Sequence, residues 1–421
     1  MKKYLIISLI TLVFFPTMLL SFPWTNGQSA EFVVGQPDFT SNGTACSVNG
    51  LNFPSSCAID YANSKLYICD YLNSRVLRFG YPLTSNQPNA EMVFGQPDFT
   101  SNAGNRGGGP SANSLFMPIY VIVHNGNLWV ADMVNNRILR WSNAYSASID
   151  AGADLVLGQP NFTSNSSANT ISGLNYPQSL SIDDSGNLWV IDLVNTRVLM
   201  FSNCESKSNG ANADKVLGQS DFTSNVSGLS DHNFDFSYGL NSVTNFGSTL
   251  WVSDGDNNRV LRFDNASSKS NGASADGVLG QVDYVSGSIN RGGSAGANTL
   301  NNPAGMFVDQ NGDLYITDAL NNRVVIYCNA STKSNGASAD YVLGQPDFFI
   351  TTSGLTASKF YMPSDVKGDL TSSNLLIVDL MNSRVLKFYT RESISTLPEW
   401  AVIITIGFLF IIGVRYIWKA V

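Results

Sequence analysis

Six aspartates recur along this sequence, each followed three residues later by Asn and five residues later by Arg: Asp70 and Arg75, Asp132 and Arg137, Asp192 and Arg197, Asp254 and Arg259, Asp318 and Arg323, Asp379 and Arg384. A carboxylate beside a guanidinium can take part in proton transfer, or it can make a charge-assisted hydrogen bond that fixes structure. Catalysis rarely needs one group six times, so the repetition favours structure: an Asp that caps the turn's amides and pairs with the Arg of the next strand fixes a hairpin. Asp254, Asp256 and Asn258 begin like a calcium loop, but no Gly stands at the sixth place and no Glu at the twelfth. His124 and His232 are the two histidines, too few for a three-His zinc site. No GxSxG nucleophile elbow occurs, and the NRGGG at 105–109 lacks the strand and helix that a phosphate loop needs. No catalytic residue, metal ligand or cofactor is assigned.

The elements that carry these residues follow from a second signature. VVGQPDFTSN at 33–42 returns as VFGQPDFTSN, VLGQPNFTSN, VLGQSDFTSN, VLGQVDYVSG and VLGQPDFFIT, with glycines at Gly35, Gly95, Gly158, Gly218, Gly280 and Gly344, a period of 60 to 64 residues. Within a period, YPQSLSID, GNLWVID, TRVLMF and KVLGQ are four short runs of β-branched, aromatic and aliphatic residues separated by Gly, Asn, Asp and Ser. No run holds a 3.6-residue period for ten residues, which excludes a helical solenoid. Six units of four antiparallel strands predict an all-β, six-bladed β-propeller. The chain opens on a fourth-strand signature and ends on three strands lacking a fourth, so segment 31–37 is expected to pair near Arg384 to Tyr389 and close the ring.

The DxxNxRV motif preceded by LYI or LWV resembles the NHL repeat, over roughly residues 31–390, with two insertions that lengthen each unit. The resemblance implies a six-bladed propeller. Family members serve as protein or RNA platforms, as sensor domains of membrane proteins and in a few cases as lyases, so it does not choose a function.

Recognition is expected in the loops. Those at 98–116, 161–175, 221–236, 283–301 and 347–361 lie on the face of the DxxN turns, and long loops on a rigid scaffold are the usual carriers of binding. NRGGGPSAN and NRGGSAGAN place Arg106 and Arg291 there beside Phe99 and Tyr284, the candidate binding residues. The opposite face carries SNCESKSNGANAD, DNASSKSNGASAD and CNASTKSNGASAD, whose likeness implies a shared turn, with Lys207, Lys269 and Lys333 as surface charges. Glycosylation sequons stand at Asn42, Asn161, Asn165, Asn225, Asn265 and Asn329. Of five cysteines, Cys46 and Cys57 are the candidate disulfide, whereas Cys204 and Cys328 sit two blades apart.

The two ends point to export. Lys2 and Lys3 precede an apolar run from Tyr4 to Phe22, so 1–30 reads as a signal peptide with cleavage near Gly27 or Ala30, an uncleaved anchor being the alternative. After the propeller at 31–390 and a linker at 391–399, residues 400–418 are apolar with interfacial aromatics and long enough to span a bilayer, which needs about 20 residues. Arg415 and Lys419 place the tail 419–421 in the cytoplasm by the positive-inside bias. Pro398, Glu399 and Trp400 ahead of this helix also resemble a PEP-CTERM-type sorting signal, which implies recognition by exosortase or archaeosortase enzymes; whether the anchor is cut stays open.

Charged residues make up 13% and the net charge is −8, which excludes nucleic acid as a partner. Hydrophobic residues at 43% exclude disorder. The expectation is a non-catalytic protein or glycan binding or scaffold module on the outer face of the cytoplasmic membrane, exposed at the cell surface and held by the C-terminal helix. The alternatives are a calcium-dependent hydrolase or lyase with its site in the central funnel, and a structural cell-surface protein.

Overall fold

The computed structural model describes residues 24–237, 239–369 and 374–389. These residues form six four-stranded antiparallel sheets. Blade 1 runs outward through Pro54–Asp60, Lys65–Asp70, Arg75–Gly80 and Met92–Phe94, and blade 3 through Pro177–Ile182, Leu188–Asp192, Arg197–Phe201 and Lys215–Leu217. Blade 6 takes three strands from the C-terminal side and its outer strand, Phe32–Val34, from the N-terminal side. Phe32 pairs with Lys387, Val33 with Leu386 and Val34 with Val385, so the ring closes where the sequence expects it to.

The second strands read as continuous apolar runs because both faces of a blade are buried. In LYICD, Leu66 and Ile68 pack with Leu376 and Val378 of blade 6. Tyr67 and Cys69 point the other way, into a cluster with Val121 and Leu128 of blade 2. Alternate side chains thus serve alternate neighbours, the period-two geometry of a strand placed between two sheets.

Each outer strand is three residues long and stops at the glycine of the GQ signature. Gly95 and its five equivalents have φ between 84° and 89°. A Cβ at Gly95 would lie 2.6 Å from Leu115 Cδ1, and one at Gly344 2.3 Å from Phe360. The left-handed backbone and the overhanging side chain both demand glycine.

Packing against the blades reaches back to Trp24, ahead of residue 31. Trp24 is 2% exposed, and its indole Nε1 donates to Tyr315 Oη at 3.1 Å. Asn26 Oδ1 accepts from the Val342 amide, and the Ala30 amide donates to the Ala357 carbonyl. Asn86, Asn209, Asn271 and Asn335 make the same bond to Val33, Val156, Val216 and Val278. TNGQSAE at 25–31 is therefore another copy of the SNGASAD loop, each of which covers the outer edge of the preceding blade. Residues 1–23, the linker 391–399, the apolar segment 400–418 and the tail lie outside the described residues. Among those described, no helix is long and apolar enough to cross a membrane.

Candidate functional site

The repeated Asp and Arg side chains are all fully buried. Arg197 Nε donates to Asp192 Oδ2 at 2.7 Å, Asn195 Nδ2 donates to the same oxygen at 2.8 Å, and Asp192 Oδ1 accepts from the Asn175 amide at 2.6 Å. Burial pushes the Asp192 carboxyl above its ordinary range against the opposing pull of Arg197. Arg197 also donates to the Phe222, Thr170 and Gly173 carbonyls. One guanidinium therefore ties the long loop entering its blade to the long loop leaving it. The signature glutamine adds a second tie: Gln219 Nε2 donates to the Thr196 carbonyl of the DxxN turn and to the Val226 carbonyl of the loop. Both signatures hold the long loops in place.

Near the axis, side chains of the inner strands bond to one another. Asp365 is fully buried, accepts from Ser56 Oγ at 2.8 Å and pairs with Lys367 Nζ at 2.7 Å, and Lys367 donates in turn to Tyr120 Oη at 2.8 Å. A small space there, lined by Ser55, Tyr120, Gln178, Ser242 and Ser364 among others, is about 10 Å³, about the room of one water. Among the described residues no group of three His, Cys, Asp or Glu is placed to hold a metal ion.

The loop residues divide. Phe99 and Tyr284 are half-buried, pack against the cores and lend their carbonyls to Arg75 and Arg259. They are part of the scaffold and not an exposed aromatic pair. Arg106 and Arg291 run back along the outer strands, their Nε atoms donating to the Gly95 and Gly280 carbonyls at 3.3 and 3.1 Å. Arg106 Nη1 meets the Asp150 carboxylate at 2.5 Å. The six sequon asparagines are exposed. Lys207, Lys269 and Lys333 pair with Asp214, Asp276 and Asp340.

All five cysteines are free thiols, including the expected pair. Cys57 is buried in the inner strand of blade 1 against Leu66 and Ile68, while Cys46 lies in a loop with Sγ toward the Phe99 and Ser101 carbonyls. One thiol faces the core and the other the rim, so closeness in sequence does not bring them together.

The feature that sequence reasoning missed is a departure from the GQPDFTSN repeat. Thr40, Thr100, Thr163 and Thr223 are exposed, and each hydroxyl donates to the Asp or Asn two residues before it. In the next two copies the threonine becomes Val285, 68% exposed, and Phe349, 73% exposed. Val282, Ile289 and Ile350 are exposed beside them in sequence. The signal lay in the two aberrant copies, DYVSG and DFFIT.

The polar copies make a pH-dependent prediction. The Thr100 amide, its hydroxyl and the Ser101 amide and hydroxyl lower Asp98 to about 2. A depressed carboxylate stabilises the fold above the unfolded pKa, and that contribution is lost as pH falls through the folded one. The Asp98 carboxyl carbon is expected to titrate near pH 2 by NMR, well below an unfolded reference. A midpoint at the ordinary value would contradict the turn geometry.

The NHL repeat family profile matches residues 300–327, which contain the Asp318 and Arg323 pair and the strands flanking it. The chain is an NHL-repeat propeller protein. Among solved structures, this NHL-repeat protein is similar to a structural genomics protein of unknown function from Bacteroides thetaiotaomicron, 12% identical over 86% of this chain and 75% of that one, with a TM-score of 0.54. It also matches an auxiliary nutrient binding protein from Bacteroides ovatus, 12% identical over 86% and 74% of the two chains, TM-score 0.47. A third match is a streptogramin B lyase, 11% identical over 84% and 86%, TM-score 0.44. At 12% identity the Bacteroides thetaiotaomicron likeness speaks to the fold alone. No curated protein matches the NHL-repeat chain.

Proposed function

We propose that this NHL-repeat propeller is an extracytoplasmic, membrane-anchored, non-catalytic module that binds a protein or glycan on its long-loop face at blades 4 and 5. The observation that carries the reading is the apolar substitution in two consecutive loops of an otherwise polar repeat. Val285 and Phe349 hold the most exposed positions of their turns, where four other copies hold hydrogen-bonded threonine. Exposed apolar side chains gathered on a rigid scaffold favour association. The Lys367 that neutralises Asp365 near the axis favours binding over chemistry in the funnel. The apolar segments at the two ends support export and tethering.

The test uses the full chain on glycan and peptide arrays beside a variant with Val285→Thr, Phe349→Thr and Ile350→Ser, which restores the repeat. Hits that need the two loops are expected to disappear while the thermal unfolding curve is retained. Identical hit patterns would remove the reading.

A further inference from the structure

Every arginine among the described residues has a carboxylate within ion-pair distance except Arg291. Its repeat equivalent shows what is missing. Arg106 and Arg291 occupy the same place in NRGG loops, with the same left-handed backbone at φ 57°. Each reaches the SNGASAD-type loop of the following blade. There Arg106 meets Asp150, which stands at φ 74° where the other copies tend to carry glycine. The residue at that place opposite Arg291 is Gly336, φ 66°, which offers its carbonyl to Nη2 at 2.9 Å and no carboxylate. Nη1 of Arg291 has no protein acceptor among the described residues.

The side chain lines a cavity of about 510 Å³ together with Leu229, Asn257, Val282 and Val285. A cavity in the loop that follows blade 2, about 300 Å³, is walled by Gly, Ser, Thr and Gln with Pro160 and Ala168, and no cation lines it. Two changes in the DYVSG copy create the difference. Val285 replaces the polar threonine, and Gly287 replaces the asparagine of other copies, where even a Cβ would come within 3.1 Å of Leu229. The loop has thus kept its Asp283 turn but lost the threonine hydroxyl from it, gained an apolar wall and kept a guanidinium without its internal counter-ion. A guanidinium aimed at a concave, partly apolar space selects a planar anion with an apolar body.

We infer that this cavity binds an amphiphilic carboxylate, its carboxyl group taking on Arg291 the place that Asp150 takes on Arg106, and its branched or aromatic group lying against Leu229, Val282 and Val285. The inference rests on the binding-module reading and names the ligand class at the blade 4 loop. A small free acid and the C-terminus of an apolar peptide share this chemistry.

Calorimetric titration of the full chain with phenylacetate, with phenylacetamide, with an Ala-Ala-Val-Phe peptide and with its C-terminal amide separates the two sources. Saturable binding of phenylacetate assigns the site to small acids, and binding of the free peptide without phenylacetate assigns it to chain ends. In either case the neutral amide is expected to bind at least about tenfold more weakly, because a charged hydrogen-bonded partner is lost. Arg291→Gln is expected to give the same loss, and Arg106→Gln none. Equal binding of acid and amide, or unchanged binding in Arg291→Gln, overturns the assignment. Absence of carboxylate binding while array hits still depend on Val285 and Phe349 removes this inference and leaves the binding module standing; loss of both removes both.

Discussion

Arg197→Met should destabilise the propeller by about 3 to 5 kcal/mol, the range for removing one partner of a buried ion pair. Exposed pairs typically contribute about 0 to 1 kcal/mol, so a loss under about 1 kcal/mol would show that the pair does not hold the blade. Buried polar groups would lose their partners. Removing the guanidinium strands the Asp192 carboxylate in the core and leaves the Thr170, Gly173 and Phe222 carbonyls without their donor. The variant should also change its pH dependence. Asp192 already lies above the ordinary carboxylate value through burial, and without Arg197 nothing cationic opposes that push. The folded variant then holds a proton that the unfolded chain has released, so its stability falls as pH rises between the unfolded and folded pKa values. Denaturant midpoints at pH 5 and pH 8 should therefore diverge more in Arg197→Met than in the parent. Asp192→Asn combined with Arg197→Met removes the stranded charge and should recover part of the loss at pH 8. Amide exchange in the variant should rise first in 161–175 and 221–236, the two loops that Arg197 joins.

Local patterns carried the fold because the propeller is built from them. The 60 to 64 residue period, the four β-rich runs and the split blade are all local statements, and the closing register of Phe32 with Lys387 follows from them. Partners across blades were less legible. The carbonyls that Arg197 ties together have no side-chain signature, so the Asp and Arg pair looked like a hairpin clip when it also anchors two loops. Arg106 and Arg291 looked alike because their own loops are alike. What separates them is Asp150 against Gly336, in a different blade and more than forty residues along the chain. Nearness in sequence suggests pairing Cys46 with Cys57, but an inner strand fixes Cys57 toward the core. The loop copy at 25–31 was hidden because Gln28 and Glu31 blur its likeness to SNGASAD, and because it adjoins an apolar run that reads as a leader.

That hidden copy gives the second large effect. A chain beginning at Trp24 should unfold like the parent propeller, whereas one beginning at Glu31 should lose about 3 to 5 kcal/mol, comparable to deleting a buried Trp side chain. Trp24 is almost wholly buried, and its indole bonds Tyr315 in the second strand of blade 5. Asn26 covers the Val342 amide at the outer edge of that blade, so residues 24–30 fasten blade 5 while Phe32–Val34 completes blade 6. The segment therefore spans the seam at which the ring is closed. Trp24→Ala alone should reproduce most of the loss, because the indole is the large buried group of the segment. Starting at Phe39 should be worse in kind, since it removes the outer strand of blade 6 and exposes the edge of Arg384–Tyr389 to pairing between molecules. Loss of a single cooperative transition and concentration-dependent aggregation are expected there. Any cleavage that keeps this clasp must spare Trp24, so N-terminal sequencing of a processed chain should find its first residue at or before position 24 and not after Gly27 or Ala30. Equal stability of the chains beginning at Trp24 and Glu31 would show that the clasp contributes nothing to closure.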